Sequence, residues 1–106
     1  MEQLTLINKE ELKKASNVFR AINHPLRKQI LKLLHEKQQV RVTEIYIALR
    51  IEQSVASQHL KILRETNIVE TQRKGKEILY KLNYDSLTKL EEIVSKIVVD
   101  FKSGIK

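Results

Sequence analysis

Between Gln53 and Leu63 the chain reads QSVASQHLKIL, with its hydrogen-bonding side chains on one side of a helical pattern. Ala56, Leu60 and Leu63 recur at i, i+4 and i+7 as a single apolar stripe, which leaves Ser54, Ser57, Gln58 and Lys61 on the other face. A helix face that is merely solvated is more often filled with Glu and Lys. Hydroxyls, an amide and one cation are groups that donate to and accept from base edges and phosphates. Gln58 has the geometry for a bidentate contact to adenine, with a solvated glutamine as the bland alternative. Gln53, at the start of the helix, is placed to donate to a phosphate. Close behind, Arg73-Lys74-Gly75-Lys76 sets three cations in four residues. Coulomb repulsion disfavours that density unless the loop is solvated or meets an anion. A polar helix followed by a basic loop reads as a DNA-binding head.

Helices with one β interruption must hold these groups in place. Asn8 and Glu11 have capping-box spacing ahead of Leu12, Ala15, Phe19 and Ile22, which predicts a first helix over about 9–22. The only proline, Pro25, fits the first turn of a second helix whose core is Leu26 to Glu36. Thr43 is the expected N-cap of a short third helix carrying Ile45, Ala48 and Leu49. Arg50-Ile51-Glu52 is left as a three-residue turn before the Gln53 helix, giving helix, turn, helix. Asn67 suits the left-handed conformation that ends a helix. Beyond it, Ile68, Val69 and Thr71, then Ile78-Leu79-Tyr80, form two short strands around the glycine turn. From Asp85 the helical period returns, with Leu87, Leu90, Val94, Ile97 and Phe101 spaced 3, 4, 3 and 4 and widened by Ile93 and Val98. That stripe is a seam for another helix.

Composition narrows the function classes. The 106 residues suit one domain, and 42% apolar residues support a modest core. A formal charge of +7, from 20 Lys and Arg against 13 Asp and Glu, points to an anionic partner, nucleic acid or a membrane surface. No apolar run approaches the roughly 18 residues of a spanning helix. The amino end, MEQLTLINKEEL, lacks the basic start and apolar core of a signal peptide, so a cytoplasmic protein is expected. The absence of cysteine excludes disulfides, thiolate redox sensing and any Cys-containing metal site.

The order of elements and several local strings resemble the ArsR family of bacterial winged-helix transcriptional repressors. AINHPLRKQILKLL is similar to the family's second helix, VTEIYIAL to its third, SVASQHLKILRETNIVE to the recognition helix and its exit, and RKGKEILYKLN to the wing. The likeness covers roughly residues 12–101. It implies a mainly α fold with a small β-hairpin wing, a winged helix-turn-helix dimerising through its first and last helices. The helix-turn-helix would lie at about 43–65, the wing at about 68–82 and the dimerisation helices at about 9–22 and 85–101, within one domain over 1–106. It further implies a homodimer that binds an imperfect palindrome in double-stranded operator DNA and represses transcription.

On this resemblance the DNA-side residues are Gln53, Ser54, Ser57, Gln58, His59 and Lys61, with Arg73, Lys74 and Lys76 on the wing. His59 stands where the family carries a His before the buried Leu, and local packing or hydrogen bonding is its ordinary role. Arg27, Lys28 and Arg41 are weaker candidates, since long surface cations are usually just solvated. The dimer residues are Leu12, Phe19, Leu87, Leu90, Val94, Ile97 and Phe101. A small chain has difficulty covering both a core and these terminal stripes, so self-association would bury the excess, although packing within one subunit is the simpler alternative. Two copies would place recognition helices in major-groove turns about 34 Å apart.

The departures from the family are informative. Its metal-sensing members carry Cys-x-Cys in the third helix or Asp and His ligands on the last. Here the third helix reads TEIYIAL and the last has no His. His24, His35 and His59 lie in unrelated segments with no spacing expected to converge on an ion, so no metal and no cofactor are expected. Asn67 replaces the usual Gly before the wing, and Glu52 stands where a Ser-like N-cap is expected. An enzyme is not expected, because only Gly75 and Gly104 are present for a phosphate cradle and no nucleophile–base constellation is visible. Asp85, Glu91, Glu92 and Asp100 read as the solvated face of the last helix. The competing class is a protein-interaction module docking an acidic partner. Three wing cations without a large apolar anchor favour phosphate over a protein hot spot. Neither operator sequence nor inducer is legible.

Overall fold

The computed structural model describes residues 8–102, apart from the side chain of Phe101. α1 (Lys9–Ile22) opens on the expected capping box. Asn8 Oδ1 accepts from Glu11 N at 2.8 Å, and Glu11 Oε1 accepts from Asn8 N at 3.3 Å. α2 (Pro25–Lys37) has its proline in the first turn, where the missing N–H costs little. Its cap is His24, whose Nδ1 accepts from Leu26 N at 3.1 Å. α2 supplies Ile30 and Leu34, both at 0% exposure, to the centre of the core.

The chain then makes a strand that the sequence pattern did not predict. β1 (Val40–Arg41) pairs with the return strand of the wing, Val40 opposite Tyr80 and Arg41 opposite Leu79. This also moves the start of the next helix. α3 (Val42–Leu49) is capped by Arg41, not by Thr43, which lies inside the helix. Once Val40 and Arg41 are held in the sheet, Arg41 is extended (φ −82, ψ 158), and Glu44 Oε1 closes back on its N–H at 3.1 Å. The helix therefore begins a residue before the Thr.

α4 (Gln53–Glu65) follows α3 after the expected three-residue turn, which Arg50 makes by adopting the left-handed conformation. Ala56, Leu60 and Leu63 are its buried stripe. At its exit Asn67 takes φ 61, and Ile68 N donates to Leu63 O at 3.0 Å. β2 (Val69–Lys74) and β3 (Glu77–Leu82) form the hairpin, giving a three-stranded antiparallel sheet in the order β1-β3-β2. The tip is the two-residue turn Gly75-Lys76, where glycine supplies the positive φ of 62 that a tight hairpin demands.

α5 (Tyr84–Lys102) starts at Tyr84, with Asn83 Oδ1 accepting from Ser86 N at 3.2 Å. Lys96 Nζ donates to Glu11 Oε2 at 2.8 Å and so ties α5 to α1. That pairing, followed by the backbone N–H of Asn8, holds the Glu11 carboxyl below the usual carboxylate range. Asp100 was expected on the solvated face but is only 1% exposed, and it has a polar partner. Asp100 lies at i+4 from Lys96 and i+7 from Ile93, along the flank that meets α1. The core proper gathers Ile30, Leu34, Val40, Ile45, Leu60, Leu63, Ile68 and Leu82 beneath the helix-turn-helix and sheet. The radius of gyration is 16.6 Å, well above the roughly 13 Å of a compact chain this size. The wing and the terminal helices project from the core.

Candidate nucleic-acid interface

α4 presents Gln53, Ser54, Ser57, Gln58 and Lys61 as an exposed polar row, held rigid by the buried stripe behind it. Glu52, its N-cap, makes no side-chain cap bond. The first-turn N–H groups of α4 thus gain no side-chain acceptor there, which suits a helix end that meets phosphate.

The wing continues the basic surface. Arg73, Lys74 and Lys76 are exposed, and Arg73 Nε donates to Gly75 O at 3.4 Å across the turn. In the register of the hairpin, Arg73 stands opposite Ile78 and Lys74 opposite Glu77, so the two cations leave opposite faces of the ribbon. Lys76 sits at the tip.

A contact that the sequence pattern does not reveal ties the wing to the helices. The Arg41 guanidinium donates through Nη1 to Glu77 Oε1 at 2.9 Å and through Nε to Glu44 Oε1 at 3.2 Å. It therefore joins the start of β3, beside the wing tip, to the first turn of α3. Glu77, then Glu44, raise the Arg41 pKa. The Arg41 N–H, opposed by burial and aided by its guanidinium, holds the Glu44 carboxyl below the ordinary range. Arg41 is thus engaged by carboxylates and not simply solvated. The Arg-x-x-Glu spacing could have signalled the local half of this contact. Glu77 could not be found that way, because its approach depends on β1 joining β3.

Residues 24–71 match the description "Bacterial regulatory protein, arsR family". The HTH-type transcriptional repressor SmtB of Mycobacterium tuberculosis is 40% identical over 74 residues, 70% of this chain and 54% of its own length. The chain thus spans about half of that relative. An uncharacterized HTH-type transcriptional regulator of Methanocaldococcus jannaschii is 32% identical over 88 residues, covering 83% of this chain and 99% of that protein. The crystal structure of NolR from Sinorhizobium fredii superposes with a TM-score of 0.68 at 33% identity, over 92% of this chain and 96% of its own. The chain belongs to the arsR family of bacterial regulatory proteins.

In this arsR-family chain, His59 lies apart from the outward row. It is half-buried, with its ring centroid 4.6 Å from that of His24 and its Nδ1 buried without a hydrogen-bond partner. Burial first, then the neighbouring His24 and Arg27, lower its pKa. The sequence spacing gives no sign of this contact: α4 packs across the start of α2 and brings two of the three histidines together. They do not make a cation site. His24 Nδ1 is occupied by Leu26 N, the adjacent charged group is the Arg27 guanidinium, and His35 is elsewhere, 3.0 Å from the Tyr84 hydroxyl. Among the described residues no three His, Cys, Asp or Glu side chains gather to hold a metal ion. α3 reads VTEIYIAL and carries no thiolate.

The apolar stripes lie away from α4. On α1, Leu12 and Phe19 are 43% and 48% exposed, and on α5, Val94 and Val98 are 37% and 45% exposed. Leu12, Phe19 and Ile97 line a hollow of about 600 Å³ between the helices. Leu90 is half-buried, while Leu87 packs against the core and is only partly available. The side chain of Phe101 falls outside the described residues. No helix among the described residues is long and apolar enough to cross a membrane.

Proposed function

We propose that this chain is a dimeric, sequence-specific DNA-binding transcriptional regulator acting as a repressor. The observation that carries this reading is the exposed row Gln53, Ser54, Ser57, Gln58 and Lys61 on α4 beside the wing cations Arg73, Lys74 and Lys76. Hydroxyl, amide and ammonium groups on a rigid helix suit base edges and phosphates in a major groove, and a cationic ribbon suits the adjoining backbone. His59 supports α4 from beneath and acts on DNA only through that seat. Arg41 and Glu77 position the wing.

The partner is double-stranded operator DNA, and the second subunit is another copy joined through α1 and α5. Leu12, Phe19, Leu90, Val94, Ile97 and Phe101 form the seam, with Leu87 at its edge. Exposed apolar stripes on two neighbouring helices support this, since water contact with such area is costly. The protein works in the cytoplasm, without catalysis and without a resident metal or cofactor. The alternative, a module docking an acidic protein, lacks a large aromatic anchor at the wing.

Selection of bound fragments from the genomic DNA of the source organism, followed by anisotropy titration, tests the proposal. A recovered imperfect palindrome bound at least about a thousandfold more tightly than random duplex is the expected outcome. Equal affinity for all duplexes would overturn sequence specificity, and no affinity for DNA would leave the acidic-protein reading.

A further inference from the structure

A second cavity, about 320 Å³, opens between α1, the exit of α4 and the first half of α5. Its volume is at the lower end of small-molecule sites, which run from roughly 300 to 1,000 Å³. Val18, Leu90 and Ile93 supply apolar lining, and Lys14, Asn17, Asn67, Ser86 and Lys89 supply polar groups. Glu65 is the single acid in the lining, so two ammonium groups outweigh one carboxylate. Neither Lys14 nor Lys89 has an ion pair among the described residues, and the Asn17 and Asn67 amides make no hydrogen bond there. An apolar lining beneath two ammonium groups that form no ion pair among the described residues, with amide groups beside them, is complementary to an amphipathic anion.

Most of the cavity lining faces away from the apolar seam. At about 100° per residue, Lys14 and Val18 point roughly 160° and 120° away from Leu12 on α1. On α5, Lys89 and Ile93 point roughly 140° and 100° away from Val94. The seam and the cavity thus lie mainly on different flanks of the same two helices and meet at Leu90, which belongs to both.

The cavity also touches the end of α4. Thr66 and Asn67 line it, and they form the exit of that helix: Thr66 Oγ1 donates to Ile62 O at 3.0 Å, and Asn67 holds φ 61. A ligand bonded to either residue acts directly on where the polar row of α4 points. We propose that this cavity binds a small organic carboxylate, an apolar chain or ring with one anionic head, and that binding changes DNA affinity through the exit of α4. The second half rests on the DNA-binding reading above; the first does not.

The test separates them. Without DNA, the ¹⁵N-labelled protein is titrated with octanoate and with phenylacetate, using octylammonium and octanol as controls. Saturable shifts at Lys14, Asn67, Lys89 and Ile93 with either carboxylate are expected, with octylammonium giving none. Lys14→Gln with Lys89→Gln should weaken the carboxylate by about fivefold or more, and Asn17→Phe, an exposed position, should block the cavity while leaving the fold intact. No saturable shift with either carboxylate up to millimolar concentration would overturn the site, as would equal binding of octylammonium. With DNA, saturating carboxylate should change specific affinity by about fivefold or more in wild type and not in Asn17→Phe. A carboxylate that binds without changing the affinity of a protein that does bind DNA would overturn the regulatory half alone.

Discussion

His24 and His59 stand ring to ring, 4.6 Å between centroids and tilted by 49°, where the start of α2 meets the middle of α4. His24 Nδ1 accepts from Leu26 N, which places its proton on Nε2 and makes it the cap of α2. His59 has no such bond for its buried Nδ1. A proton on the His59 ring therefore adds charge beside Arg27, in a place that holds the recognition helix against the core.

This pair predicts acid sensitivity well above the carboxylate range. The His59 pKa is lowered in the folded chain, by burial and then by His24 and Arg27. Once the pH falls past the ordinary His value near 6.5, the unfolded chain binds a proton that the folded chain resists. Stability should hold above about pH 7 and fall as the pH drops through 6.5 towards the lowered folded value. Thermal unfolding at intervals from pH 8 to 5.5 measures this, and His59→Phe, which keeps a ring in place, should flatten the slope. An equal slope in the variant would assign the effect to other groups.

The Arg41 brace predicts a different separation. Exposed ion pairs contribute little to stability, so Arg41→Glu should leave the unfolding midpoint nearly unchanged. The same change should weaken binding to every duplex by about fivefold or more, because it frees the wing and repels Glu77 and Glu44. Combining it with Glu77→Arg restores an opposite-charge pair across β1 and β3 and should recover part of the loss. If the double swap bound no better than Arg41→Glu alone, the bridge would have no part in positioning the wing.

Much of this architecture was legible locally. The Asn8–Glu11 box, Pro25 in a first turn, the three-residue turn and the glycine hairpin each rest on contacts within a few residues. What escaped depends on long-range packing. β1 is two residues long and exists because β3 lies beside it, and from that pairing come the Arg41 cap and its reach to Glu77. The His24–His59 contact likewise has no local signature. Asp100 is a different case: its i+7 relation to Ile93 places it on the buried flank, against the usual preference of a carboxylate for water. On the site, the outward row of α4 was legible because apolar spacing fixes which side is free. The inward place of His59 was not.

Self-association should be readable by sedimentation at micromolar concentration, with a dimer expected. Phe19 and Val94 are substantially exposed in the single chain, so Phe19→Asp with Val94→Asp should not disturb its core. Buried at an interface, the same carboxylates would lack partners and oppose association strongly. The expected product is a monomer with wild-type helical content and much weaker operator binding. A wild-type chain that stays monomeric at high concentration would remove the basis for palindrome recognition.

Wing and recognition helix should separate in their dependence on salt and sequence. Lys74 and Lys76 are exposed at the hairpin tip, where each phosphate contact would release counterions. Replacing both with Ala should weaken specific and random duplexes about equally and reduce the salt slope by about 2. Ser57 and Gln58 lie on the free face of α4, opposite Ala56, Leu60 and Leu63, so Ser57→Ala with Gln58→Ala leaves the core untouched. A lost bidentate base contact costs roughly 1–3 kcal/mol of discrimination and little non-specific affinity, so the specific-to-random ratio should collapse while the salt slope stays. Should this pair lower only the affinity common to all duplexes, sequence would be read elsewhere, through DNA shape or through the wing, and α4 would be a backbone clamp.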